Sequence, residues 1–387
     1  MKPSALHPGE RIVLEPQGLD ALIDLLARSG YRVIGPRVRD GCVVYDEVAS
    51  TQDLPSGWTD EQTPDSYRLK KRRDQAYFGY SVGSHSWKQF LHPPHLTIFR
   101  ARRNGSGLQI LPPAAETPKY AFLGVRPCDL AAISYQDRVL LEGKHPDATY
   151  AARRKNCFIV AVNCSDSGGN CFCASMGVGP RAAAPFDLAL TEVVGKTRHF
   201  FVCEIGSGAG AEAASHLPSE PATDEHVGAE EAVLSRAAAQ MGKALTTEGL
   251  KESLQASYES AHWEAVAERC LTCGNCTSVC PTCFCTTVED YTDLTGESAE
   301  RRRRWDSCFT LDFSYIFGGS VRTSAAARYR QWLMHKLANW EDQFGTPGCV
   351  GCGRCITWCP VGIDIAKEAE TIRAGASPGK EQARGNP

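Results

Sequence analysis

Long apolar runs are missing from this 387-residue sequence. Residues 158–162 form one of the longest, far short of the about 18 to 20 residues that a membrane span requires. The opening MKPSALHPGERIVLEP has no apolar core followed by a cleavage site, so no signal peptide is expected and a cytoplasmic protein is. An excess of one charge is also missing. The net charge is −3 and the pI is near 6.4, with no dominant basic stripe, which argues against a nucleic-acid partner. Apolar residues at 42% and charged residues at 22% exclude disorder along the whole chain. The ten histidines form no H-x-x-x-H pair. No Ser/His/Asp set, paired-carboxylate site, P-loop or flavin-binding pattern is visible.

What the sequence has in unusual number is cysteine, 18 in all. Disulfide frameworks belong mainly to small secreted domains, and a chain of this length can build a core without them. Clustered intracellular cysteines more often bind metal, so their spacing decides the matter.

Two domains are expected from length. Residues 1–245 read as mixed α/β. Leu19, Leu22, Ile23, Leu25 and Leu26 fall at helical spacing. Strands are expected at 31–34 and 42–45 around the turn Asp40-Gly41, and again at 96–99, 121–125, 158–163 and 199–204. Several are unbroken apolar runs, as in strands covered on both faces. Residues 206–228, rich in Gly, Ala, Ser, Pro and Glu, read as a loop, and 230–240 and 247–269 as helices. Residues 246–387 form the second domain, with a helical stretch at 325–340 and a polar, frayed tail at 377–387.

That second domain holds one motif twice. Cys270-Leu-Thr-Cys273-Gly-Asn-Cys276-Thr-Ser-Val-Cys280-Pro281 and Cys349-Val-Gly-Cys352-Gly-Arg-Cys355-Ile-Thr-Trp-Cys359-Pro360 both read C-x2-C-x2-C-x3-C-P, the spacing of two-cluster ferredoxins. Three thiolates on one tight loop reach three irons of one cube. Small intervening residues let backbone N–H groups approach the sulfurs. The proline redirects the chain so that the fourth sulfur serves the neighbouring cube. Cys270, Cys273, Cys276 and Cys359 are thus expected on one [4Fe–4S] cluster, and Cys349, Cys352, Cys355 and Cys280 on the other. A single C-x2-C pair would fit zinc equally well; two complete quartets followed by proline do not. Two such clusters side by side make a one-electron relay. The long helical insert between the motifs resembles the helical ferredoxin domains of fumarate reductase iron–sulfur subunits and of heterodisulfide reductase, which implies an all-α cluster domain.

Cys128 and Cys164 each follow an expected strand. If those strands are parallel neighbours, both thiols emerge at the edge where open α/β sheets bind ligands. A thiolate at position 128 would also face a helix N-terminus. With Cys171 and Cys173 in the loop Gly168-Gly-Asn-Cys171-Phe-Cys173, they make a third candidate [4Fe–4S] site. Buried free thiols and zinc are the alternatives. Cys157 begins its strand and is the weaker candidate. Cys42 and Cys203 lie in strand-like runs and are read as core. Cys283, Cys285 and Cys308 are a spare ligand set or part of a partner surface, the non-ligand role being preferred because three thiols do not complete a normal cube. The glycine-rich turn after Glu204 lacks the acidic residue a dinucleotide fold needs. The run Arg301 to Arg304 reads as a solvated helix face or as a docking patch for an acidic partner.

Taken in order, Arg126-Pro-Cys-Asp129, Cys171-Phe-Cys-Ala-Ser-Met-Gly177, Cys280-Pro-Thr-Cys-Phe-Cys285, Trp305-Asp-Ser-Cys308 and Cys349-Val-Gly-Cys-Gly-Arg-Cys355 resemble the β subunit of cytoplasmic sulfhydrogenase-type [NiFe] hydrogenases. They are similar also to the corresponding electron-transfer subunit of anaerobic sulfite reductase. The resemblance covers roughly residues 65 to 370 and implies an electron-transfer subunit beside an FAD subunit that handles NAD(P)H. It implies hydrogenase small and large subunits as further partners, or a sirohaem protein in the second case. It also strengthens the third-cluster assignment. A redox-sensing iron–sulfur protein and an enzyme acting alone are the alternatives of another class.

Overall fold

A computed structural model describes residues 6–375 apart from 82, 106, 113–117 and 184. The expected frayed tail lies outside the described residues. The N-terminal part is built on an eight-stranded sheet. From edge to edge it runs Glu220–Pro221, Arg11–Leu14, His199–Ile205, Leu188–Val194, Cys157–Val162, Tyr120–Val125, Arg32–Arg39 and Cys42–Glu47. The central pairs are parallel: Arg32–Arg39 with Tyr120–Val125, that strand with Cys157–Val162, and that with Leu188–Val194. The outer pairings are antiparallel.

Tyr120–Val125 is buried at every position, because helices cover both faces of the sheet. On one face Pro16–Arg28 sets down Leu19, Leu22, Ile23 and Leu26, beside the short helix Gly208–Ser215. On the other, Pro127–Leu140 packs Leu130 and Ile133 against Phe122, Ile159 and Trp87.

Mixed α/β content therefore holds, but an all-α second part does not. Thr286–Thr292 and Ser298–Trp305 are strands, and they join His95–Asn104 and Gly107–Leu111 in a four-stranded antiparallel sheet. Thr286, Thr287, Val288, Tyr291 and Thr292 are β-branched or aromatic, which suits a pleated surface. Tyr315–Ile316 and Gly319–Ser320 add a two-stranded ribbon, and the helices Leu250–Ala256, His262–Ala267, Ala325–Met334 and Ile365–Gly375 enclose a core of Leu254, Trp263, Tyr329, Leu333 and Ala369.

Two further expectations are corrected. The Arg301–Arg304 run is a strand segment, not a helix face. Its guanidinium groups are already matched, Arg301 to Asp290 at 2.7 Å, Arg302 to Glu300 at 2.7 Å, Arg304 to Glu289 at 2.6 Å and Arg303 to Asp147. Such a run offers little free charge to an acidic partner. Residues 206–228 are not one loop. The Ser207 hydroxyl accepts from Gly210 N at 3.0 Å and caps the helix Gly208–Ser215, and Asp224–Ala239 begins within the same stretch.

Candidate iron–sulfur centres

The two cysteine motifs fold alike. In each, a glycine in the left-handed region, Gly274 at φ 75° or Gly353 at φ 73°, starts a one-turn helix, Asn275–Ser278 or Arg354–Thr357. That reversal needs a residue without Cβ, and it turns successive thiols toward one point. Backbone N–H groups then close on sulfur: Thr272 N on Cys270 at 3.4 Å, Gly351 N on Cys349 at 3.4 Å and Ile363 N on Cys359 at 3.3 Å.

The structure brings the expected quartets together. Cys270, Cys273, Cys276 and Cys359 line one cavity with Phe309, Tyr329 and Trp332. Cys280, Cys349, Cys352 and Cys355 line a second, with Lys336 and Phe172. Cys355 borders both, and Cys276 lies within electrostatic reach of Cys280 and Cys355. Cys359 of the second motif thus lies with three cysteines of the first, and Cys280 of the first with three of the second.

Burial pushes the Cys276 and Cys355 thiols well above the ordinary thiol range, and neighbouring thiols push the same way. Four clustered thiolates together require cations, which iron would supply. The donor set, soft sulfur with N–H groups aimed at it, fits a cubane cluster.

Cys128 and Cys164 do leave the sheet at one edge, because Tyr120–Val125 and Cys157–Val162 are parallel neighbours. Cys128 falls in the first turn of Pro127–Leu140. Cys173 lies within electrostatic reach of Cys164 and Cys171, and Cys128 within reach of Cys173. The group also touches the second motif: Cys352 faces Cys128, Cys171 and Cys173. Cys157 instead sits at the opposite end of its strand, beside Arg154 and Asp187. Cys203 is buried in the sheet core, and Cys42 is half-buried on an edge strand.

Cysteine spacing says nothing of the charges around these thiols. Arg126 is buried, donates to Phe78 O at 2.6 Å and Tyr80 O at 2.8 Å, and faces Cys164 and Cys128. Arg354 is buried, pairs with Asp129 at 2.8 Å and faces Cys352 and Cys128. Lys336 is buried and donates to Thr282 Oγ1 at 2.7 Å; burial works against its charge, but the Cys280, Cys283 and Cys349 thiols hold it. Each supplies positive charge to a set of thiolates. Arg126 and Arg354 stand inside the cysteine motifs, and their adjacency to cysteine was the available signal. Lys336 carries no such mark in the sequence.

The third group is locked to the second motif through backbone. Phe172 N donates to Gly351 O at 2.8 Å. A Cβ on Gly351 would lie 2.7 Å from the Cys173 backbone, at φ 65°. Gly351→Ala should therefore cost about 1–3 kcal/mol by overpacking. It should also lower the iron retained by the holoprotein, measured by calorimetry and iron quantitation; wild-type values for both would show that the junction yields freely.

Residues 269–363 match the family model described as a 4Fe-4S dicluster domain. The chain is similar to sulfhydrogenase 2 subunit beta of Pyrococcus furiosus, 31% identical over 353 residues, which span 89% of this chain and 93% of that protein. Among the described residues no helix is long and apolar enough to cross a membrane.

Proposed function

Since this chain belongs to the sulfhydrogenase β-subunit family, we propose that it relays single electrons between an FAD subunit handling NAD(P)H and the catalytic subunits of a cytoplasmic [NiFe] hydrogenase. The carrying observation is the pair of cysteine-lined cavities that share Cys355 as a border. Cys270, Cys273, Cys276 and Cys359 would hold one [4Fe–4S] cluster, and Cys349, Cys352, Cys355 and Cys280 the other. Cys128, Cys164, Cys171 and Cys173 would hold a third. The clusters supply one-electron chemistry; the chain positions them and sets their electrostatics.

The sites then fall in a line. The N-terminal group borders Cys352 of the second quartet. The second quartet borders Cys276 of the first. Cys273 of the first is exposed, next to Leu271 at 61% exposure, which makes this end a terminus where a partner's carrier can approach. Lys336 and Arg354 offset charge along the middle of the line. The relative's name favours a hydrogenase over an anaerobic sulfite reductase as the complex that this chain serves.

The test is Cys352→Ala in the assembled complex. NAD(P)H-linked electron transfer should fall to background while the subunits stay together. Unchanged rates with intact assembly would overturn the relay and favour redox sensing.

A further inference from the structure

Three cysteines remain outside the proposed ligand sets although they lie beside them. Cys285 ends the segment that follows the first motif. It is pinned across the hairpin, where Thr286 pairs with Trp305 and Asp306 N donates to Cys285 O at 2.9 Å. Cys308, two residues further, is thereby brought back so that its thiol is in hydrogen-bond contact with that of Cys285. Cys270 and Cys276 meet the other thiols of their quartet through electrostatic reach, without such a contact. Cys280 of the second quartet meets Cys283 in the same way, but Cys285 and Cys308 are the pair in which neither thiol belongs to a proposed ligand set.

The surroundings favour sulfur redox chemistry. A polar cavity of about 200 Å³ is lined by Lys88, Cys283, Cys285, Arg304, Trp305 and Asp306, among others. Lys88 is 4% exposed, and its ammonium lies 3.9 Å from the Trp305 ring centroid. The contact with Cys308 and, against burial, Lys336 and Lys88 draw the Cys285 thiol below the ordinary thiol range, while the same contact raises that of Cys308. A thiolate is the attacking species in disulfide chemistry. Cys308 also lies within electrostatic reach of Cys276 in the first quartet.

We propose that Cys285 and Cys308 form a redox-active dithiol that exchanges two electrons with the adjacent iron–sulfur relay. On oxidation two S–H bonds break and one Sγ–Sγ bond forms. Two protons leave through the polar cavity, and two electrons pass one at a time to oxidised one-electron iron–sulfur carriers. On reduction the Sγ–Sγ bond is cleaved and two protons are taken up, the two electrons being ones that such carriers would supply one at a time. The pair gives a one-electron wire a two-electron store at its first quartet. This inference rests on the relay reading above.

The experiment uses anaerobic holoprotein poised at a series of potentials, quenched with acid, alkylated, digested with trypsin and examined by mass spectrometry. In oxidised samples peptide 270–301 should be linked to peptide 305–322 through Cys285 and Cys308, and the link should vanish on reduction with a two-electron dependence on potential. In Cys308→Ser, electron uptake should fall by about two per chain, with iron content and the cluster EPR signals unchanged. A link through Cys280 and Cys283, no link at any potential, or iron lowered by about four atoms in Cys308→Ser would each overturn the dithiol. The last result would make Cys308 a ligand. Loss of cluster signals in wild-type protein would instead sink the relay itself.

Discussion

Anaerobically purified wild-type protein should contain about twelve iron atoms and as many acid-labile sulfides per chain, and Cys173→Ala about eight. Cys128→Ala should match it. Electrostatics favours a loaded site as much as geometry does. Burial drives the Cys128 thiol well above the ordinary range and the Cys171 thiol up to about 12. Left as thiols, these groups give the fully buried Arg126 and Arg354 little negative charge to balance beyond Asp129 beside Arg354 and Asp60 within reach of Arg126. Thiolates on iron would carry the missing negative charge, so the two arginines fit a loaded site better than an empty one. Alanine is the better replacement, because a serine oxygen can still ligate. Iron unchanged in both variants would leave only the two clusters of the dicluster domain. Zinc in place of iron, in colourless protein without an EPR signal after dithionite, would remove the relay altogether.

What was legible in the sequence was local. Eight cysteines at fixed spacing with proline after the fourth specify loop geometry within twelve residues, so their grouping could be read without a fold. The parallel pairing that delivers Cys128 and Cys164 to one edge was also readable, because apolar runs such as Phe122, Leu123 and Val125 signal strands buried on both faces. The misreadings concern long-range partners. Ser298–Trp305 pairs with His95–Asn104, and four consecutive arginines show no alternation to reveal a strand. The acids that match them sit on other elements, as with Asp147 and Asp290. The Ala-rich helix after Ser207 was hidden by its glycines, of which Gly210 is needed because a Cβ there would meet Asp187 O at 2.0 Å. The thiol contact between Cys285 and Cys308 depends on the same unrecognised hairpin.

Arg354→Met should destabilise the holoprotein by about 3–5 kcal/mol, the cost of stranding one member of a buried ion pair. Arg354 and Asp129 are 0% and 1% exposed at their side chains and 2.8 Å apart. With the guanidinium gone, Asp129 keeps a single hydrogen bond, from Tyr45 OH at 3.4 Å, and its Oδ1 has no partner among the described residues. Gly83 O also loses the donor it has at 3.0 Å in Arg354 Nε. The pair joins the strand edge that carries Cys128 to the loop that carries Cys352, so its loss should loosen the two metal sites from each other. Arg354→Met/Asp129→Leu removes both charges and should recover much of the loss, because an apolar pair of similar volume is close to neutral in such a position. Denaturant unfolding of the three proteins, with iron measured on each sample, separates the fold from the metal. Stability of Arg354→Met equal to wild type would show that water reaches this pair. A double variant no better than the single one would show that Arg354 acts through the cysteines and not through Asp129.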